Sequence, residues 1–187
     1  MNAALRLSWY KFKHHYMDFV KVLLGIVAFE GLILYIQDKG FLKDLETTRM
    51  TLFLLLFSTS LLIVVQNSIY ISKERSVLNR DFFSGLSRSA FALASMGIHA
   101  FFAVLETIVF ILSYSVFSKF FDKEFPDAGH IFGSYRWEVG ITVLLVFLAS
   151  HFIALFISAL VGKSEITSVI LAVVVGIMQF SLSGTIL

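Results

Sequence analysis

The chain has 187 residues, of which 58% are hydrophobic and 15% charged, with a formal net charge of +2. Ordinary globular composition is about 45–50% apolar and about 25% charged, so a disordered segment, a coiled coil and a nucleic-acid-binding domain are excluded, and too little polar surface remains to cover the chain in water. The composition is that of an integral membrane protein; having no cysteine, it has no disulfide, thiolate metal site or cysteine nucleophile.

Residues 1–18 are the first element. Leu5, Trp9, Phe12, Tyr16 and Phe19 fall within about one quarter of a helical wheel, while Arg6, Lys11, His14 and His15 lie off that stripe. The pattern predicts an amphipathic helix in the interface of an anionic leaflet. The plainer alternative is a positive flank that only sets topology. A cleavable signal peptide is excluded, because the apolar run that follows is long and no small-residue cleavage site succeeds it.

About 20 helical residues cross a hydrocarbon core of roughly 30 Å, and five runs qualify: 19–36, 50–71, 90–117, 141–161 and 166–187. The third, at 28 residues, exceeds the bilayer and should tilt, kink or project beyond it. A barrel would alternate in segments of about ten residues. Residues 50–65 do not alternate, and the chain has one proline and 21 phenylalanines. The expected fold is an all-α polytopic bundle, a single transmembrane domain over 1–187. The turn 162–165 is so short that the fourth and fifth spans must form a tight hairpin.

Loop charges set the orientation. With the N-terminus in the cytoplasm, nine basic residues lie inside: Arg6, Lys11, Lys13, Lys21, Lys73, Arg75, Arg80, Arg88 and Lys163. Six lie outside: Lys39, Lys43, Arg49, Lys119, Lys123 and Arg136. The expected location is the cell (plasma) membrane, N-terminus cytoplasmic. The outer loop 118–140, with the single proline Pro126, reads as a solvated loop. Five spans would leave the C-terminus outside, with no polar tail after Ser183-Gly184-Thr185-Ile186-Leu187.

The cytoplasmic loop 72–89 is charged yet carries Val77, Leu78, Phe82 and Phe83, which predicts a short helix packed against something cytoplasmic. Gly85 is placed to end it, since glycine enters the left-handed region without cost. The alternative is a solvated charged loop.

Four titratable groups fall inside the spans: Glu30, His99, Glu106 and His151. A charge near the bilayer centre costs about 2.5 kcal/mol or more. His99 and Glu106 are seven apart and share a helix face. The four can serve as a proton relay, as a metal site of histidines and carboxylates, or as structural polar packing. No tight ligand spacing is present, and no metal is expected. Gly162-Lys163-Ser164 matches the tail of a phosphate-binding loop, but the glycine required five residues earlier is Ile157, so no ATP site is read here.

The loop residues resemble a known pattern. Membrane domains of the G subfamily of ATP-binding cassette transporters, and related bacterial exporters, carry an acidic–basic pair at the end of span two. A basic–acidic pair follows about five residues on, then a glycine and an aromatic-rich start of span three. Here these are Glu74-Arg75, Arg80-Asp81, Gly85 and Phe91. Asp81 stands where the family more often has glutamate, and Leu86 and Phe91 lie near positions that favour tyrosine. The run Phe180-Ser181-Leu182-Ser183-Gly184 is similar to the segment closing the family's fifth span. The resemblance covers essentially the whole chain.

It implies the membrane subunit of an ATP-driven exporter, an ABC-2-type permease, with five of an expected six spans present. The loop 72–89 would be a coupling helix seated on a cytoplasmic ABC ATPase, with Glu74, Arg75, Val77, Leu78, Arg80, Asp81, Phe82 and Gly85 as its coupling residues. Mg-ATP would be held by that partner, and this chain would hold no cofactor and have no catalytic residue. A second membrane domain, identical or different, would complete a cleft for amphipathic or lipid-like cargo. Ser58, Thr59 and Leu62 would line it, with Ile177 and Phe180 opposite and Thr185 and Ile186 as its upper valve. For each, ordinary helix packing is the competing explanation. Two other functions compete: an intramembrane enzyme using His99, Glu106, Glu30 or His151, and a non-transporting membrane scaffold that docks a partner through 72–89.

Overall fold

The computed structural model describes residues 2–37, 45–122, 131, 133–162 and 164–182. Among these residues the only regular secondary structure is helix: α1 (Asn2–Ile36), α2 (Leu45–Asn67), α3 (Arg75–Phe83), α4 (Arg88–Phe120), α5 (Tyr135–Leu160) and α6 (Glu165–Leu182). Four helices contain stretches long and apolar enough to cross a membrane: Tyr16–Ile36, Thr48–Asn67, Arg88–Phe120 and Tyr135–Leu160. Among the described residues, the apolar stretch of the fifth apolar helix, α6, covers Glu165–Gln179.

Several bounds differ from the sequence expectation: α2 ends at Asn67 rather than at 71, α5 begins at Tyr135 inside the expected outer loop 118–140, and the first and third spans change most. The segment 1–18 is not set off from the first span: α1 runs unbroken for 35 residues, about 52 Å at 1.5 Å per residue. No proline or glycine stands near residue 18 to break the ladder. Of the apolar stripe, Tyr16 is exposed and Phe19 half-buried; Leu5, Trp9 and Phe12 lie outside the residues whose side chains are described. The third span lengthens at both ends to the 33 residues of α4, about 50 Å, so it projects past a core of roughly 30 Å. Ser87 starts it by accepting the amide of Ala90 at 3.4 Å, an N-cap bond that satisfies one of the helix's free amides.

The bundle exposes apolar side chains and buries several polar ones within its apolar core. Leu24, Leu32, Leu112, Val116, Leu145 and Phe156 are exposed, whereas Glu30, Thr59, His99, Glu106, His151 and Ser158 are fully buried. Lipid tails solvate the first group as well as a protein core would, so the helices gain little from hiding it. Dispersion at close approach and buried hydrogen bonds hold such a bundle together instead.

Both are visible. The main core joins Val22, Ile26 and Leu34 of α1, Leu55 and Ile63 of α2, Phe110 and Tyr114 of α4, and Phe147 of α5. A smaller core joins Val64 of α2, Ala154 and Ile157 of α5 and Ala172 of α6. At Gly25 a Cβ would lie 2.5 Å from the Leu62 side chain, so glycine lets α1 and α2 approach closely. Gly176 does the same for Leu61 and α6. Ser60 and Ser150 hydrogen-bond at 2.7 Å between α2 and α5. Helix α2 thereby touches α1, α5 and α6, while α4 packs on α1 and α5.

Candidate functional site

The charged loop folds into the nine-residue helix α3. Its end is a Schellman motif: the Gly85 amide donates to the Phe82 carbonyl at 3.2 Å and the Leu86 amide to the Asp81 carbonyl at 3.0 Å. That geometry needs a left-handed residue after the helix, and Gly85 has φ +102°. Glu74 stands at the N-cap without a side-chain cap bond.

Three links tie α3 to the bundle. Leu78 is 1% exposed. The guanidinium of Arg75 donates to the Ala159 carbonyl at the end of α5, at 2.8 Å. Just before α3, the buried hydroxyl of Ser158 accepts the amides of Ile71 at 2.8 Å and Ser72 at 3.1 Å. Lys73 also approaches Asp18 of α1 at 4.0 Å; both groups are partly exposed, so that pair adds little.

The structure sorts the loop's apolar residues by face. Leu78 and Phe82 are four apart and share one side of the helix, so a buried Leu78 carries Phe82 inward. There Phe82 meets Phe91 edge-on at 5.9 Å and lies under the Arg88 guanidinium at 5.6 Å. Val77 is 44% exposed and Phe83 94%, with the exposed Arg80 between them in sequence. Asp81 is half-buried and 4.0 Å from Arg80. The outward knob is therefore Val77 and Phe83. Phe83 was not among the coupling residues expected from the resemblance; the Leu78–Phe82 spacing puts those two on one face but does not say which face turns inward. Ser158 had no signal in the sequence, because nothing local marks a hydroxyl that will cap a turn 86 residues away.

The four intramembrane groups divide into two sites. His99 of α4 and His151 of α5 face each other through their Nδ1 atoms at 3.0 Å, and His151 Nε2 lies 2.8 Å from Glu106 Oε2. All three side chains are completely buried. The seven-residue spacing of His99 and Glu106 places them two turns apart on one face of α4, and His151 bridges them. Glu30 does not join: one carboxylate oxygen accepts the hydroxyl of Ser113, which lies two further turns along α4 from Glu106. Among the described residues, no three His, Asp, Glu or Cys side chains are grouped to hold a metal ion.

A cavity of about 80 Å³ opens between α1, the end of α2 and α4. Phe19, Val22, Ile98 and Phe102 form its apolar walls, Asp18, Lys73 and Glu74 its charged mouth, and His99 part of its floor. Drug-sized ligands occupy roughly 300–1,000 Å³, so this space suits a few water molecules and no large cargo.

Of the residues expected at a cargo cleft, some face the chain's own helices and others its surface. Ser58 is half-buried and donates to the Leu55 carbonyl at 3.2 Å. Thr59 is fully buried and bonded to the same carbonyl at 2.7 Å, facing the chain's own core. Leu62 packs on Gly25 of α1. Ile177 is 57% exposed on α6. Phe180 is in α6, with its side chain outside the described residues, where Thr185 and Ile186 also lie.

Compared with known proteins, residues 6–187 match a family model described as ABC-2 type transporter. No curated protein and no solved structure matches the chain.

Proposed function

The chain belongs to the ABC-2 type transporter family, membrane components of transport systems, and from that premise we propose that it is the transmembrane subunit of an ATP-driven exporter. Its ATPase is a separate cytoplasmic ABC subunit or domain that binds Mg-ATP. A second membrane domain pairs with this one, and amphipathic or lipid-like cargo moves through the cleft between them. Ser58, Leu62 and Ile177 are the residues of this chain best placed to border that cleft, since all three retain exposed surface. The protein resides in the plasma membrane with its N-terminus and α3 on the cytoplasmic side.

One observation carries the coupling role: α3 is fixed to the bundle yet presents Val77, Arg80 and Phe83 outward. A solvated loop would absorb a push from a partner by bending. Leu78, Arg75 and the Ser158-capped turn instead pass it to α5 and α2, the helices that share the Ser60–Ser150 bond. An exposed phenylalanine beside an arginine is also the composition of an interface anchor. Closure of the ATPases on ATP would press on α3 and rock the bundle as a body.

The absence of cysteine makes the test clean. Val77→Cys and Phe83→Cys, each introduced singly, should form adducts with a co-expressed ABC ATPase through a short bifunctional cross-linker. Leu78→Cys, on the buried side, should not. No adduct at either exposed position, with the complex still co-purifying, overturns the docking role of α3.

A further inference from the structure

The bridged His99–His151–Glu106 chain and the cavity above it are not needed for coupling through α3. Their hydrogen bonds, however, have a direction. A bond between two Nδ1 atoms requires one ring to donate and the other to accept. If Glu106 is a carboxylate it accepts from His151 Nε2–H. A neutral His151 then has a bare Nδ1, which accepts from His99 Nδ1–H. That leaves His99 Nε2 as a bare lone pair. This atom is fully buried, has no hydrogen-bond partner among the described residues, and belongs to a ring that lines the cavity floor. The far end of the chain, Glu106 Oε1, likewise has no partner among them.

We propose that His99, His151 and Glu106 form a one-proton relay, loaded from the water-sized cavity at the α3 end of the bundle. A hydronium ion entering the cavity, whose wall must part slightly for water to touch the buried ring, gives its proton to His99 Nε2 and leaves as water. The Nδ1 proton of His99 passes to His151 Nδ1, and the Nε2 proton of His151 passes to Glu106 Oε2. One proton is taken up, both rings end neutral with their tautomers exchanged, and the carboxylate becomes a carboxylic acid. Reversal returns the proton to the same cavity. The two transfers span 3.0 and 2.8 Å, ordinary hydrogen-bond distances.

The surroundings favour a store over a wire through the membrane. Around the cavity, α1 supplies Asp18, and the segment after α2 supplies Tyr70, whose ring meets His99 edge-on at 4.7 Å, with Lys73 and Glu74 beside it. From α5 the facing group is His151 itself. The next carboxylate inward, Glu30, is bonded to Ser113, two turns past Glu106, so no described group carries the proton onward. Loading Glu106 would exchange a carboxylate for a neutral acid at the contact of α4 with α5, and so change how firmly those helices are joined.

The test uses the full chain with nitrogen-15-labelled histidine, reconstituted in lipid bilayers and followed by solid-state NMR from alkaline to acidic pH. There are five histidines, and His99→Gln and His151→Gln assign the two resonance sets. At the alkaline end His99 should carry its proton on Nδ1 and His151 on Nε2. On acidification both should exchange tautomers together, with the appearance of an infrared carboxylic-acid band that Glu106→Gln abolishes. Fixed tautomers over the range in which the protein stays folded, or one ring becoming imidazolium alone, overturn the relay. In His151→Phe the Glu106 band should form at least tenfold more slowly after a pH jump, and an unchanged rate overturns it too. Should that variant not fold, the tautomer exchange in the unaltered chain decides.

Discussion

Replacing Ser158 by alanine should free the segment that leads into α3. The Ser158 hydroxyl is the acceptor for two backbone amides, Ile71 at 2.8 Å and Ser72 at 3.1 Å, and both Ser158 and Ser72 are buried. Alanine is smaller and creates no clash, so the change isolates the hydrogen bonds. A buried amide left without its acceptor costs about 1–3 kcal/mol. Ile71 is half-buried, so the bottom of that range applies to its amide; with about 1–2 kcal/mol for the buried Ser72 amide, the pair comes to roughly 2–3 kcal/mol. At about 1.4 kcal/mol per factor of ten, the local opening equilibrium should rise about 30- to 140-fold. Hydrogen–deuterium exchange on the bilayer-reconstituted chain reads this directly: a peptide covering 68–78 should exchange faster by that factor, while peptides from the middle of α4 stay unchanged. Acceleration of less than threefold would mean that Ser158 does not fasten the turn, and that α3 is held by Leu78 and Arg75 alone.

Other substitutions probe the packing and the polar core. Gly25→Val should drive α1 and α2 apart at the Leu62 contact and destabilise the bundle by about 1–3 kcal/mol, whereas Gly97→Ala, where a Cβ meets nothing within 4 Å, should be neutral or gain up to about 1 kcal/mol; thermal unfolding in detergent compares them. Glu106→Gln keeps an acceptor for His151 and should cost less than about 1.5 kcal/mol. Glu106→Leu strands the buried N–H of His151 without an acceptor and should cost about 1–3 kcal/mol, and equal melting temperatures for the two variants would show that the His151–Glu106 bond contributes nothing.

The fold class and the helices were legible because apolar runs of bilayer length are a strong signal that needs no knowledge of tertiary contacts. Gly85 was legible for a similar reason: it follows a short amphipathic segment and only a glycine suits the left-handed position there. The pairing of His99 with Glu106 on one face followed from their spacing. That His151, rather than Glu30, completes the group depends on which helices adjoin, and α4 touches both α1 and α5. Which side of α3 faces outward was hidden for a related reason. Four apolar residues in a seven-residue stretch mark a helix that packs, but which of them face the bundle is set by the turn before it. That turn is fixed by Ser158, far along the chain. The length of α1 beyond the bilayer was likewise hidden, because amphipathic and apolar helices join without any breaking residue.

The central claim is that force from an ATPase enters through the exposed face of α3. It is tested most directly by Phe83→Asp, with the chain co-reconstituted in proteoliposomes with its co-expressed ABC ATPase and transbilayer movement of a fluorescent phospholipid followed on adding Mg-ATP. Ile131→Asp, another highly exposed apolar residue beyond the far end of α4, is the control. The account predicts that ATP-dependent movement falls at least tenfold in Phe83→Asp and is unchanged in Ile131→Asp. Full ATP-dependent movement in Phe83→Asp, with the ATPase still bound, would contradict it.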